Sequence, residues 1–213
     1  MKLRLLLLTL TTVLFTTSAT AQLEALTTSE DGLVYSNDKF GVTITKPESW
    51  YAQEIAEIIA TQQMGADLMA GDDENMQAIL DNSLDTTLPL FGFFESAPGA
   101  PVSSNASLIG VAENISMAPG LESACDYLYH ARQLMARSQI RTEMQDECLT
   151  YEVDGSTLHY FNAVMDFGAY KVHQKYLACL SGDHALAFVY SMMNTDNVPA
   201  LDNMVKNLQV KCD

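Results

Sequence analysis

The residues able to do chemistry in this 213-residue chain are four cysteines, four histidines and an excess of carboxylates. Cys125, Cys148, Cys179 and Cys212 make no CxxC, CxxxC or Cys/His cluster, so neither a zinc site nor a thioredoxin-type dithiol is expected of them. His159 and His173 fall on adjacent strands of one predicted hairpin and would make a metal pair if they faced each other. A Gly168-Ala169 turn instead sets His159 opposite Ala178, roughly 16 Å along the strand from His173, so the two cannot share an ion. His130 takes an exposed helix position and His184 a turn. Asp72-Asp73-Glu74 lacks the alternating ligands, the sixth-position glycine and the twelfth-position glutamate of an EF-hand loop. It reads as the acidic first turn of a helix, with a weak Ca²⁺ site as the alternative.

Other combinations fail on geometry. Ser181-Gly182-Asp183-His184 holds the residue types of a triad, but neighbours in one tight turn cannot point at each other. Met64, Met69 and Met76 are spaced too irregularly for thioether ligation and read as core filling. No nucleophile elbow, S-x-x-K, H-E-x-x-H, dinucleotide-binding glycine motif or phosphate loop occurs. A glycosidase-type carboxylate pair is recognised only by its separation in space. The chain therefore reads as not an enzyme, with no cofactor.

Before these residues lies a segment laid out for export. Met1-Lys2-Leu3-Arg4 is basic, Leu5–Phe15 apolar, and Thr16–Ala21 small and polar, closing in Ala19-Thr20-Ala21. That is a signal peptide spanning residues 1–21, its apolar run well short of the ~20 residues that cross a bilayer. Residues 22–213 are expected to form one domain, periplasmic or secreted, with no membrane span. Without Lys2 and Arg4 it carries nine basic against 27 acidic residues. A surface of that sign repels nucleic acid and anionic headgroups and favours solubility. An even cysteine count in an oxidising compartment predicts two disulfides, with three connectivities open.

Patterning then supplies the elements that must position these groups. Gln22–Asp31 is a polar leader. Leu33–Tyr51 reads as a hairpin, with Phe40, Val42 and Ile44 alternating against Gly41, Thr43 and Thr45, and Lys46-Pro47-Glu48-Ser49 stopping the strand before Trp50, the sole tryptophan. Tyr51–Leu84 carries two helical stripes broken near Gly71. Pro89–Glu95 and Ala106–Ser116 are strands joined by the loop Ser96–Asn105. Leu121–Arg137 is the clearest helix. A four-strand meander follows over Arg141–Val153, Thr157–Phe167, Tyr170–Leu180 and Ala185–Met193, turning at Asp154-Gly155, Gly168-Ala169 and Ser181-Gly182-Asp183. A last helix runs from Asp196 or Asn197 to about Asn207.

The meander prunes the disulfide choices. Cys148 and Cys179 lie on its first and third strands, roughly 9–10 Å apart, beyond the ~7 Å Cα separation that a bridge tolerates. Cys125 lies about 19 Å back along its helix, a distance that the return strand covers in about six residues, close to Cys148. The chain after the last helix ends near Cys179. Cys125 with Cys148 and Cys179 with Cys212 is the preferred pairing.

The order of these elements, with Phe40-Gly41-Val42-Thr43-Ile44 followed by Lys46-Pro47-Glu48-Ser49-Trp50, resembles the PsbP-like superfamily, which takes in PsbP, Mog and DcrB-type proteins. The resemblance implies an α+β fold: an antiparallel sheet, comprising the C-terminal meander and the N-terminal hairpin, flanked by helices. It also implies a family whose members mostly bind or help to assemble other proteins. Phe40, Pro47 and Trp50 are then structural, with Trp50 expected to plug the core between the sheet and the helix that follows Tyr51. The expected function is a non-catalytic envelope protein binding a protein partner or small ligand through Ser96–Asn105 and the Tyr51–Leu84 segment. The alternatives are a hydrolase with a His/carboxylate site hidden from sequence and a weak Ca²⁺ module.

Overall fold

A computed structural model describes residues 26–118 and 120–213; the signal-peptide segment lies outside the described residues. The fold is α+β, with four α-helices and two antiparallel sheets among the described residues. The small sheet is β1 (Leu26–Thr28), β2 (Val34–Asn37) and β3 (Val42–Thr45). The expected hairpin is there, but it pairs with Leu26–Thr28 and not with the large sheet. The leader expected at Gln22–Asp31 thus contributes a strand, Leu26 pairing with Asn37.

Strand β4 (Tyr51–Ala52) leads into helices α1 (Ile55–Ala70) and α2 (Glu74–Asp85). The break comes at Gly71, and the Asp73 carboxylate caps α2 by accepting from the Asn75 and Met76 N–H groups, 3.0 Å each. Strands β5 (Thr87–Phe94) and β6 (Ser107–Asn114) precede helix α3 (Ala124–Arg137). The meander is β7 (Arg141–Met144), β8 (Leu149–Val153), β9 (Ser156–Asp166), β10 (Lys171–Ser181) and β11 (His184–Met192), followed by α4 (Val198–Lys206). The large sheet runs β4-β5-β6-β11-β10-β9-β7, with β8 also on β9. Its β8–β9 turn is tight because Asp154 and Gly155 both take positive φ, 33° and 81°.

One expected strand is two. Arg141–Val153 is interrupted at Gln145–Cys148, where the Arg132 guanidinium of α3 donates to the Gln145 and Asp146 carbonyls and Cys148 bonds to α3. Turning those carbonyls towards the helix takes them off the ladder.

Alternation divides the sheet into two faces. Leu158, Leu177, Cys179, Leu186 and Phe188 point into the larger core with Phe40, Val42, Ile44 and Trp50, and with Leu201, Met204 and Val205 of α4. Phe161, Ala163 and Ala178 point the other way, beneath Leu128 and Met135 of α3. Gly110 is dictated by this packing, since a Cβ there would stand 2.5 Å from the Phe91 ring. The chain after α4 pairs with β3 through Thr43 and Gln209, and the Asp213 carboxylate accepts from Gly182 N–H at 2.7 Å.

Candidate functional site

A cleft of about 500 Å³ opens where the end of α2, the end of β6 and the exposed side of α3 converge. Its polar centre is Glu113, the penultimate residue of β6. Ser83 Oγ donates to one carboxylate oxygen at 2.7 Å, and the Tyr127 hydroxyl donates to the other at 2.7 Å. Each oxygen therefore keeps an acceptor position. The walls are largely apolar, through Ile115, Ala118, Leu121 and Leu134, with Asn82, Thr86, Asn114 and His130 adding polar groups, and Met117, 91% exposed, stands at the edge. Burial first, then the charge of Glu113, hold the Tyr127 phenol well above its ordinary range, so it remains a donor to the carboxylate.

The cleft lies away from the surface expected from sequence. Thr87 pairs with Glu113 and Phe94 with Ser107, so the loop Ser96–Asn105 is at the opposite end of the β5–β6 hairpin. Of the Tyr51–Leu84 segment only the last turn of α2 reaches the cleft, through Asn82 and Ser83.

The remaining candidates scatter. His159 stands opposite Ala178 and His173 opposite Val164, and they do not meet. His130 lines the cleft. His184 packs edge-on to Phe40 at 5.0 Å, and burial followed by the charge of Lys39 pushes its pKa down. Met76 is buried, Met69 packs beneath α3, and Met64 is 70% exposed, so the three methionines do not converge. The Asp73 carboxylate is occupied by the α2 cap.

The cysteines are joined as Cys125–Cys148 and Cys179–Cys212, both with Cα atoms 5.8 Å apart. Sequence reasoning missed the neighbour of the first bridge. His159 Nδ1 lies 3.3 Å from Cys125 Sγ, and the two sulfurs and this nitrogen fall within 4.8 Å of one another. Both sulfurs are committed to their disulfide, which leaves that set no thiolate to ligate a metal. The signal was present: an Asp154-Gly155 turn pairs His159 with Thr150, two residues from Cys148.

Tyr127, Tyr176 and Tyr190 are all raised above the ordinary phenol value of 10.0, in each case chiefly by burial. A folded-state pKa above the unfolded one gives stability that is complete below the unfolded value and is lost as pH climbs past it. We expect urea midpoints to be flat between about pH 7 and 9 and to fall steeply above about pH 10. A midpoint unchanged at pH 11 would show these phenols titrating normally.

No protein-family profile matches the chain, and no curated protein matches it. Among solved structures it is similar to LpqN of Mycobacterium tuberculosis, a protein involved in cell envelope biogenesis, at 10% identity and TM-score 0.42 over 79% of this chain and 83% of that one. It is similar to a Pseudomonas aeruginosa protein of unknown function at 10% identity and TM-score 0.43, over 60% and 83%. It is also similar to cyanobacterial PsbP from Synechocystis at 14% identity and TM-score 0.48, over 84% and 91%.

Proposed function

We propose that residues 22–213 are a non-catalytic binding domain of the cell envelope, exported by the segment 1–21 and stapled by its two disulfides. Its ligand site is the cleft around Glu113. One observation carries this reading: a carboxylate with an open acceptor position on each oxygen faces a largely apolar-walled cleft of about 500 Å³. Such a site suits an amphipathic ligand, with an apolar body against Ile115, Leu121 and Leu134 and a cationic N–H head on Glu113. A primary amine or a peptide N-terminus has that chemistry. The hydroxyls of Ser83 and Tyr127 are both engaged with the same carboxylate, which favours holding a ligand over activating a nucleophile. Two disulfides fit an oxidising compartment.

The test uses hexylamine and phenethylamine against hexanoate as probes, read by calorimetry and by the shift in Tm. Both amines are expected to bind and to raise Tm, and hexanoate is not. Glu113→Gln keeps the shape and removes the charge, and should weaken the amines by about tenfold or more. Equal binding of hexanoate, or amine affinity unchanged in E113Q, would overturn the reading.

A further inference from the structure

The two disulfides sit in different chemical surroundings. Cys179 is buried at 2% exposure within the larger core, and Cys212 packs against that core. Cys125, Cys148 and Cys212 are all half-buried, Cys148 at the edge of the smaller core, so only the second bridge holds a fully buried sulfur. Cys125 is also the second residue of the 14-residue helix α3, capped by Ser123. Amide N–H groups and the helix dipole favour a negative charge there. The Asp126 carboxylate in the same turn is engaged by Ser123 Oγ and the Glu122 N–H. The histidine contact is the decisive feature, because His159 Nδ1 is within reach of Cys125 Sγ at 3.3 Å. Cys148 has no helix N-terminus of its own: it follows the exposed Asp146 and Glu147 in a loop where the Arg132 guanidinium is engaged by the Gln145 and Asp146 carbonyls.

We infer that Cys125–Cys148 is a thiol–disulfide exchange site in which Cys125 is the leaving sulfur. The co-reactant is a dithiol. One of its thiolates attacks Cys148 Sγ, forming a mixed disulfide there as the Cys125–Cys148 bond breaks. The electron pair of that bond departs on Cys125 Sγ, where the first turn of α3 stabilises the thiolate and His159 Nδ1 supplies a hydrogen bond or the proton. The second thiolate of the reductant then displaces Cys148. The reductant leaves as its own disulfide and the protein keeps two thiols. Attack falls on Cys148 because exchange is fastest when the sulfur better able to carry negative charge departs. Cys179–Cys212, with one sulfur in the core, stays closed as a staple. This assignment does not depend on the cleft binding a ligand.

Limiting dithiothreitol added to the native oxidised protein, with timed acid quenching, alkylation and peptide mapping, reads both bridges in one molecule. Cys125 and Cys148 should become alkylated about tenfold or more faster than Cys179 and Cys212. His159→Phe keeps a ring and removes its nitrogens, and should lower that ratio severalfold. A general loss of stability would speed both bridges, so the ratio separates a role in exchange from a role in folding. Brief treatment with glutathione, a monothiol, should leave the mixed disulfide on Cys148. Equal opening of the two bridges, an unchanged ratio in H159F, or glutathione on Cys125 would each overturn the assignment.

Discussion

Trp50→Ala should cost about 3–5 kcal/mol of stability, the range for deleting a buried aromatic side chain, and lower Tm by on the order of 10 °C for a domain of this size. The indole is 7% exposed and belongs to the larger core, together with Phe40, Val42 and Ile44 of the small sheet, strands of the large sheet, and Leu201 and Val205 of α4. Its position is fixed by the preceding turn. Trp50 N–H donates to the Pro47 carbonyl at 3.0 Å, and the buried Lys46 ammonium donates to the carbonyls of Pro47 at 3.2 Å and Glu48 at 3.4 Å. Truncation leaves a cavity where three layers meet and no single element can collapse into it, which puts the cost in the upper part of the range. Circular dichroism is the measurement, since the variant has no other tryptophan to follow. A variant that melts with the wild type would place the indole in solvent.

Sequence and structure agree most closely where the information is local. The break at Gly71, the acidic start of α2, the Asp154-Gly155 turn and the alternation along β9 to β11 each follow from residues within a few positions of one another, although Asp73 turns out to cap α2 and not to lie in its first turn. Even the expected disulfide distances used only helix rise and strand spacing. Sidedness was less accessible. Trp50 reads from sequence as a plug between the sheet and the helix after Tyr51, yet α1 contributes nothing to its cluster. Which face a strand-end residue takes depends on the sheet that the hairpin joins, and the extra strand Leu26–Thr28 helps to settle that.

The candidate site was the least legible part, for the same reason. Ser83 and Tyr127 reach Glu113 across 30 and 14 residues, and His159 reaches Cys125 across 34. Each pair is made by a helix laid over a strand. No residue type or spacing marks Glu113 among 27 acidic residues. What distinguishes it is that it ends a buried strand beside two helices.

Lys175 makes the same point through its expected effect on stability. Its ammonium lies 5.4, 5.1 and 4.9 Å from the ring centroids of Tyr151, Tyr160 and Tyr190, and 3.5 Å from the Asp202 carboxylate. The Tyr190 hydroxyl donates to that carboxylate at 3.1 Å. Four strands, β8 to β11, and α4 are therefore tied through one cation. Its side chain is 15% exposed and that of Asp202 is 30% exposed, so the ion pair is only partly desolvated and its contribution is smaller than that of a fully buried pair. Adding cation–π attraction to three rings, Lys175→Met should cost about 2–4 kcal/mol, because the aliphatic stem remains but Asp202 loses its counter-charge. Asp202→Asn should cost less, since the ammonium keeps its three rings. The double variant should cost less than the two singles combined, by about 1 kcal/mol. Urea melts of the four proteins measure this cycle. Strict additivity would mean that the lysine packs by its stem alone, with the aromatic cage incidental to holding α4 on the sheet.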